Sequence, residues 1–476
     1  MKKHYSLLLF VAFTAFAMTF VSCKKDEEEP PVTPTHELLD GYVENIDGVS
    51  VTSDELLSLD EVLGRVVGSG MFSDAGAMAN QVVNLVKNQM ADTLASWNRR
   101  FGLNATEVQV RCVKYLYRTV DHTGSPITLS SFAAWACPKT SSPQNQIIHN
   151  RIVLFCPYSQ TKEDYCATAS YGGAATVMVA KNALVVSPDP QGFGNDSGHD
   201  QMYMNHELIG IQMADAMTAA YQIFMNAGFK LAGDFFLTPM GMSQGAASSV
   251  ATQRYLENTP LTISSETRSL ADWWQMGYTL VSSGPYSPEI TMNEYLAWQT
   301  CAHPGVIPLV LKTMLLSYPQ TYSGHTEEDF YSENYLDHKP FFDSLYLYKP
   351  YTIDEINALM FSLVSSPEHQ VSNPNTMVLT DLISAALLDS ASALNQMMHQ
   401  SLRRNDLTTG WTPRHNIYLH ASDADEYVPY ANTQALQRMN SSKVRLLDTE
   451  HCNHEMASIL WLLKAFNGTW DSQLVR

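Results

Sequence analysis

Phe235-Phe236-Leu237-Thr238-Pro239-Met240-Gly241-Met242-Ser243-Gln244-Gly245-Ala246-Ala247-Ser248-Ser249-Val250-Ala251 is the stretch on which the fold turns. Its first residues are bulky and apolar, as in a buried strand. Its last are small, as in a helix that packs tightly. Between them stands Gly241-Met242-Ser243-Gln244-Gly245, a G-x-S-x-G pattern. This spacing fits a sharp strand-to-helix turn that lifts a Ser hydroxyl clear of the main chain. Glycines flank it because a Cβ there would block the close approach. Ser243 is therefore the candidate nucleophile.

Working outward, Val113, Tyr115 and Tyr117 alternate with Lys114 and Arg118, which predicts a half-buried strand; Ile127–Cys137 predicts a second. The apolar runs Ile152–Phe155 and Ala183–Val186 resemble Phe235–Leu237 and suit strands buried on both faces. Helices are expected at Glu207–Asn226 and Gln244–Glu257. Residues 287–410 break this rhythm: they are rich in Pro, Tyr and Met, with helical runs at Thr352–Leu363 and Asp381–Met398. Sheet character returns at Asn416–His420 and Val444–Leu447, and a helix is expected at Met456–Phe466. An antiparallel start followed by alternating strand and helix predicts an α/β protein with a mostly parallel central sheet. The expected division is a sheet domain in two parts, 106–286 and 411–476, interrupted by a helical cap at 287–410. Residues 37–105 read as a mostly helical lead-in without a chemical signal.

A Ser hydroxyl is a poor nucleophile at neutral pH and needs a base held in place by a third group. Candidate acids lie in His420-Ala421-Ser422-Asp423-Ala424-Asp425-Glu426-Tyr427-Val428-Pro429. The spacing Asp-x-x-Val-Pro picks Asp425 over Asp423. Candidate bases lie in Glu450-His451-Cys452-Asn453-His454, before the last helix. His-x-x-Ala favours His454, with His451 as the alternative. No further ligands surround His451, Cys452 and His454, so no metal and no cofactor are expected. Donors for a developing oxyanion should be the backbone N–H of Gln244 and one from the loop Pro157-Tyr158-Ser159-Gln160-Thr161. Pro157 has no N–H, which leaves Tyr158 or Ser159.

From about Arg151 onward these residues resemble the secreted lipase-A-type family of α/β hydrolases. Val185-Val186-Ser187-Pro188-Asp189-Pro190-Gln191-Gly192-Phe193-Gly194 resembles its strand ending in proline-aspartate and followed by G-x-G. Gly284-Pro285-Tyr286, Leu402-Arg403-Arg404-Asn405-Asp406 and Trp411-Thr412-Pro413 resemble the segments that leave and rejoin the sheet around that family's lid. The resemblance implies an α/β-hydrolase fold, a lid over 287–410, and hydrolysis of small-molecule or lipid esters by Ser243, Asp425 and His454. It does not reach residues 37–105. Asp189 is expected to brace its loop rather than to react. The same triad could serve a peptidase or a carbohydrate deacylase, and the fold could also persist in a non-catalytic binding lipoprotein.

The N-terminus reads as a sorting signal. Lys2 and Lys3 precede an apolar run from Leu7 to Val21, then Ser22 and Cys23. This resembles a bacterial lipoprotein signal over residues 1–22, with Cys23 lipidated. Residues 23–36, charged and then proline-rich, read as a solvated tether. The expected location is the cell envelope, at the outer membrane or cell surface, held by the lipid alone. Six further cysteines remain, of which Cys112 and Cys137 lie in strands that could be neighbours and pair; the others read as buried thiols. With 29 Lys and Arg against 48 Asp and Glu, the net charge of −19 excludes nucleic acid as a partner.

Overall fold

The computed structural model describes residues 37–68, 108–139, 147–369 and 375–476, and the single positions 88 and 373. The signal, the tether and Cys23 lie outside the described residues, as does most of the lead-in after residue 68.

The main sheet has nine described strands: β1 Ser50–Leu57, β2 Val108–Val120, β3 Pro126–Pro138, β4 His149–Phe155, β5 Ala183–Pro188, β6 Leu231–Met242, β7 Tyr278–Ser282, β8 Asn416–Ser422 and β9 Val444–Glu450. Their order across the sheet is β1-β2-β3-β5-β4-β6-β7-β8-β9. The first three strands and the β3–β5 pair are antiparallel. From β5 to β9 every pairing is parallel.

Sequence explains the middle of this sheet. Along β2 the alternation puts Tyr115 and Tyr117 in the core while Arg118 is exposed. Both faces of β5 are buried. One face packs with Phe155, Tyr278 and Trp461, the other with Trp135, Phe224 and Leu237. Each large apolar side chain so buried contributes roughly 1.5–3 kcal/mol. After the short helices α1 (Glu37–Val43) and α2 (Leu59–Gly68), the helix α3, His206–Asn226, is capped by Asn205, whose side chain accepts from the Leu208 N–H. The helix α4, Gln244–Asn258, follows the G-x-S-x-G turn directly.

Sequence misses the edge of the sheet. Within the lead-in expected to be mostly helical, Ser50–Leu57 forms β1 against β2. Most of its side chains are polar, its apolar Val51 and Leu56 are exposed, and only Leu57 is buried, so no apolar alternation marks it. The main-chain ladder holds it, assisted by the Arg111–Asp54 ion pair. The expected Cys112–Cys137 bridge is also absent. Cys137 lies opposite Gln109, three residues from Cys112, so the two thiols face opposite sides of the sheet. All six described cysteines are free.

Helices dominate residues 287–410. Pro288–Trp298 (α5), Val306–Ser317 (α6), Lys339–Tyr348 (α7), Ile353–Leu363 (α8) and Ala393–Arg404 (α9) account for most of it. They bury a core of their own, including Met314, Phe330, Tyr335, Phe342, Ile356 and Met360. The helix expected over Asp381–Met398 is broken. Ser384 caps one short turn and Ser392 caps α9, each accepting from a backbone N–H three residues on. Serine favours such caps over helix interiors because its hydroxyl competes for main-chain groups. Where this segment rejoins the sheet, Asn405 Oδ1 accepts from the His206 N–H at 3.0 Å. Asp406 Oδ2 accepts from Ser287 Oγ at 2.9 Å. No described helix is long and apolar enough to cross a membrane.

Candidate active site

Five loops meet at the carboxyl edge of the parallel strands, where sheets of this kind bind their ligands. The first follows β6. Ser243 sits between β6 and α4 with φ 55° and ψ −130°, a region that costs a non-glycine residue strain. Its N–H is held by the Ser282 carbonyl at 2.9 Å and its carbonyl by the Ala246 N–H at 3.0 Å. The glycines are there for space. A Cβ on Gly241 would come within 2.2 Å of the Gly245 carbonyl oxygen, and one on Gly245 within 2.4 Å of the Cys156 carbonyl oxygen. Gln244 begins α4, so its N–H is one of the helix-start donors without an intrahelical partner.

The second and third loops follow β8 and β9, and Ser422 laces them together. Its hydroxyl donates to the Cys452 carbonyl at 2.5 Å and accepts from the Cys452 N–H at 3.1 Å. This brings His454, at the start of the helix α11 (His454–Asn467; α10 is Ala431–Met439), against Asp425. His454 Nδ1 donates to Asp425 Oδ2 at 2.7 Å. The other oxygen, Oδ1, accepts from the N–H groups of Tyr427 and Val428 at 3.0 and 2.8 Å. The carboxylate is thus aimed from both ends. Burial pushes the His454 imidazole down, but Asp425, with Glu426 and Glu455 behind it, more than offsets this and holds it above its ordinary value. The alternatives Asp423 and His451 also bond, at 2.7 Å, but at an exposed position.

The fourth loop, after β4, carries Tyr158 and Ser159. Ser159 Oγ and the Tyr203 hydroxyl are 2.6 Å apart. The fifth follows β5. There Asp189 is fully buried and accepts from Ser130 Oγ, Thr168 N and Thr168 Oγ1, so it braces its loop. Gly194, at φ 58°, passes so close that a Cβ would strike both Ser130 and Asp189.

Two cavities adjoin Ser243. One runs into the cap between Met204, Met292, Val306, Val310, Leu311 and Leu387. The other, the larger of the two, is bordered by His454 and by polar groups including Lys162, Asp354, Asn453 and Glu455. Ser159, Ser243, His303 and Tyr427 line both. Sequence reading missed His303 and Tyr203, which belong to no motif. No group of three or more His, Cys, Asp or Glu suited to a metal exists among the described residues.

No family model matches the chain, and no curated protein is similar to it in sequence. Solved structures are similar in shape. The rice cell wall degrading esterase LipA of Xanthomonas oryzae superposes with a TM-score of 0.61 at 16% identity, covering 90% of this chain and 98% of that one. The chain has the α/β-hydrolase fold. A Legionella pneumophila protein assigned as a hydrolase follows at 0.56 and 12% identity, covering 90% and 99%. Candida antarctica lipase A in its closed state overlaps at 0.48 and 14% identity, covering 78% and 80%.

Proposed function

We propose that the chain is a serine carboxylic-ester hydrolase. The observation that carries this reading is the strained Ser243 opening onto the cavity bordered by His454, whose imidazole is bonded to buried Asp425. Ser243 Oγ attacks the ester carbonyl carbon and passes its proton to His454 Nε2. The oxyanion is met by the Gln244 N–H and by a donor at Tyr158 or Ser159. Collapse breaks the carbon–alkoxy bond, and His454 returns the proton to the departing alcohol. Water, deprotonated by His454, then attacks the acyl carbon; the bond to Ser243 Oγ breaks, His454 returns the proton to Oγ, and the acid leaves. Asp425 keeps the imidazole in the Nδ1–H tautomer and stabilises its positive form. The apolar cavity in the cap suits an acyl chain, and the larger cavity, with more polar groups in its wall, suits the alcohol.

The test is Ser243→Ala on chromogenic esters and their amide counterparts, with fluorophosphonate labelling of the native chain. Ester hydrolysis should fall about a thousandfold or more, and the label should sit on Ser243. Undiminished hydrolysis by the variant would overturn the reading. Preference for the amides would turn it toward a peptidase. Absence of both turnover and label would turn it toward a binding protein.

We also propose that Cys23 carries the lipid that anchors the protein in the bacterial envelope. The basic and then apolar run before Cys23 and the charged, proline-rich stretch after it support this. Radiolabelled palmitate should enter the native protein and not Cys23→Ser; equal labelling of both would refute the anchor.

A further inference from the structure

The cap brings one polar ring to the neck between the two cavities, and the reaction above leaves it unused. His303 lies between the two-residue strand Thr300–Cys301 and α6. Its ring stacks on Tyr427, with centroids 4.3 Å apart and planes inclined by 16°. The Tyr427 ring in turn lies 5.4 Å from that of His454.

The tautomer of His303 is determined. Its Nδ1 is 2.8 Å from Asn357 Nδ2. The Asn357 amide cannot be turned over, because its Oδ1 accepts from the Gly305 N–H at 2.8 Å. Asn357 therefore donates and Nδ1 accepts, which leaves the single proton of a neutral imidazole on Nε2. Burial, with His454 nearby, pushes the ring down to about 3 against the opposing pull of Asp425, so it stays neutral at ordinary pH. His303 is only 8% exposed, and no described residue accepts from its Nε2–H. One face is covered by Tyr427 and the Nδ1 edge by Asn357, which leaves the other face and the Nε2 edge for the ring to offer to the cavities it lines.

A nearly buried donor stripped of water by an incoming apolar chain loses a hydrogen bond, whereas an incoming oxygen replaces it. Sites built in this way discriminate strongly. Through Tyr427 the ring belongs to the His454 side of the site. The expected oxyanion donors come instead from the start of α4 and the loop after β4.

On the ester-hydrolase reading, we propose that His303 is a specificity-determining residue whose Nε2–H donates to an oxygen carried on the substrate beside the scissile ester. The preferred substrates are then oxygenated esters, with a hydroxyl or ether oxygen close to the carboxyl group on the acyl or the alcohol side.

The experiment uses the full chain and two pairs of esters matched in length. On the acyl side these are para-nitrophenyl methoxyacetate and butyrate; on the alcohol side, methoxyethyl and butyl acetate. His303→Phe keeps a ring on Tyr427 and removes the donor. It should lower kcat/KM for the oxygenated member of at least one pair by about fivefold or more relative to its apolar partner. The pair that responds tells which side carries the oxygen. A smaller relative change in both pairs overturns the proposal even if all rates fall together, since that is what a packing role would give. Should His303→Phe not fold, His303→Leu is read by the same ratio. Native hydrolysis with unmoved ratios removes only the role of His303. A native chain that cleaves none of the four esters removes the hydrolase reading and this proposal with it.

Discussion

Two histidine–aspartate pairs stand within a few residues of each other, and their bond lengths are the same. His454 meets Asp425 at 2.7 Å, and His451 meets Asp423 at 2.7 Å. Their surroundings differ. In the first pair the side chains are 8% and 1% exposed; in the second, 85% and 50%. Water and salt screen the exposed pair, so its attraction is worth little and does not hold the His451 ring in place. The buried carboxylate keeps its second oxygen on two main-chain N–H groups, and its charge acts on the imidazole through a drier medium. Contact distance alone therefore does not distinguish a proton-handling pair from a surface pair. Burial, and the fixing of the far oxygen, do.

Three experiments can break or sharpen this contrast. The largest effect is expected at the buried pair. Asp425→Asn leaves the shape intact but favours the wrong tautomer of His454, so kcat should fall roughly 10⁴-fold. Steady-state rates on a chromogenic ester would show it, and a loss below tenfold would remove Asp425 from the relay.

A smaller effect concerns pH. In the proposed reaction His454 must be neutral to take the Ser243 proton, and its positive form is stabilised in the folded chain. The rate should thus rise with pH around a midpoint above the ordinary imidazole value of about 6.5. Nuclear magnetic resonance of the imidazole protons should show the same midpoint, moving down in Asp425→Asn as the stabilising charge is lost. A native midpoint at or below the ordinary value would contradict the coupling.

The smallest effect belongs to the exposed pair. Asp423→Asn and His451→Gln should each leave kcat/KM within about twofold and stability within about 0.5 kcal/mol, as for surface changes generally. A tenfold loss of activity in either would erase the distinction between the pairs.

The same division runs through the rest of the molecule. Strands β4, β5 and β6 were legible because both of their faces are buried, so their apolar runs carry the signal. Strand β1 was not, because its place is held by main-chain bonds to β2 that polar side chains do not announce. The helix expected over Asp381–Met398 had the right periodicity, yet serine caps divide it. His303 carries no motif; its meaning comes from Asn357, Gly305 and Tyr427, which lie far from it in the chain or gain their role only by packing.

By itself the sequence determined the G-x-S-x-G turn, the order of the candidate Ser, Asp and His along the chain, and the alternation of strand and helix around them. These follow from short-range rules: side-chain periodicity, the room a glycine leaves, and the place of a loop after a strand. Only the tertiary structure decided which aspartate and which histidine are buried together, where the sheet ends, and which side chains line both cavities. Those depend on dielectric and on contacts between distant segments, and neither is a property of any local run of residues.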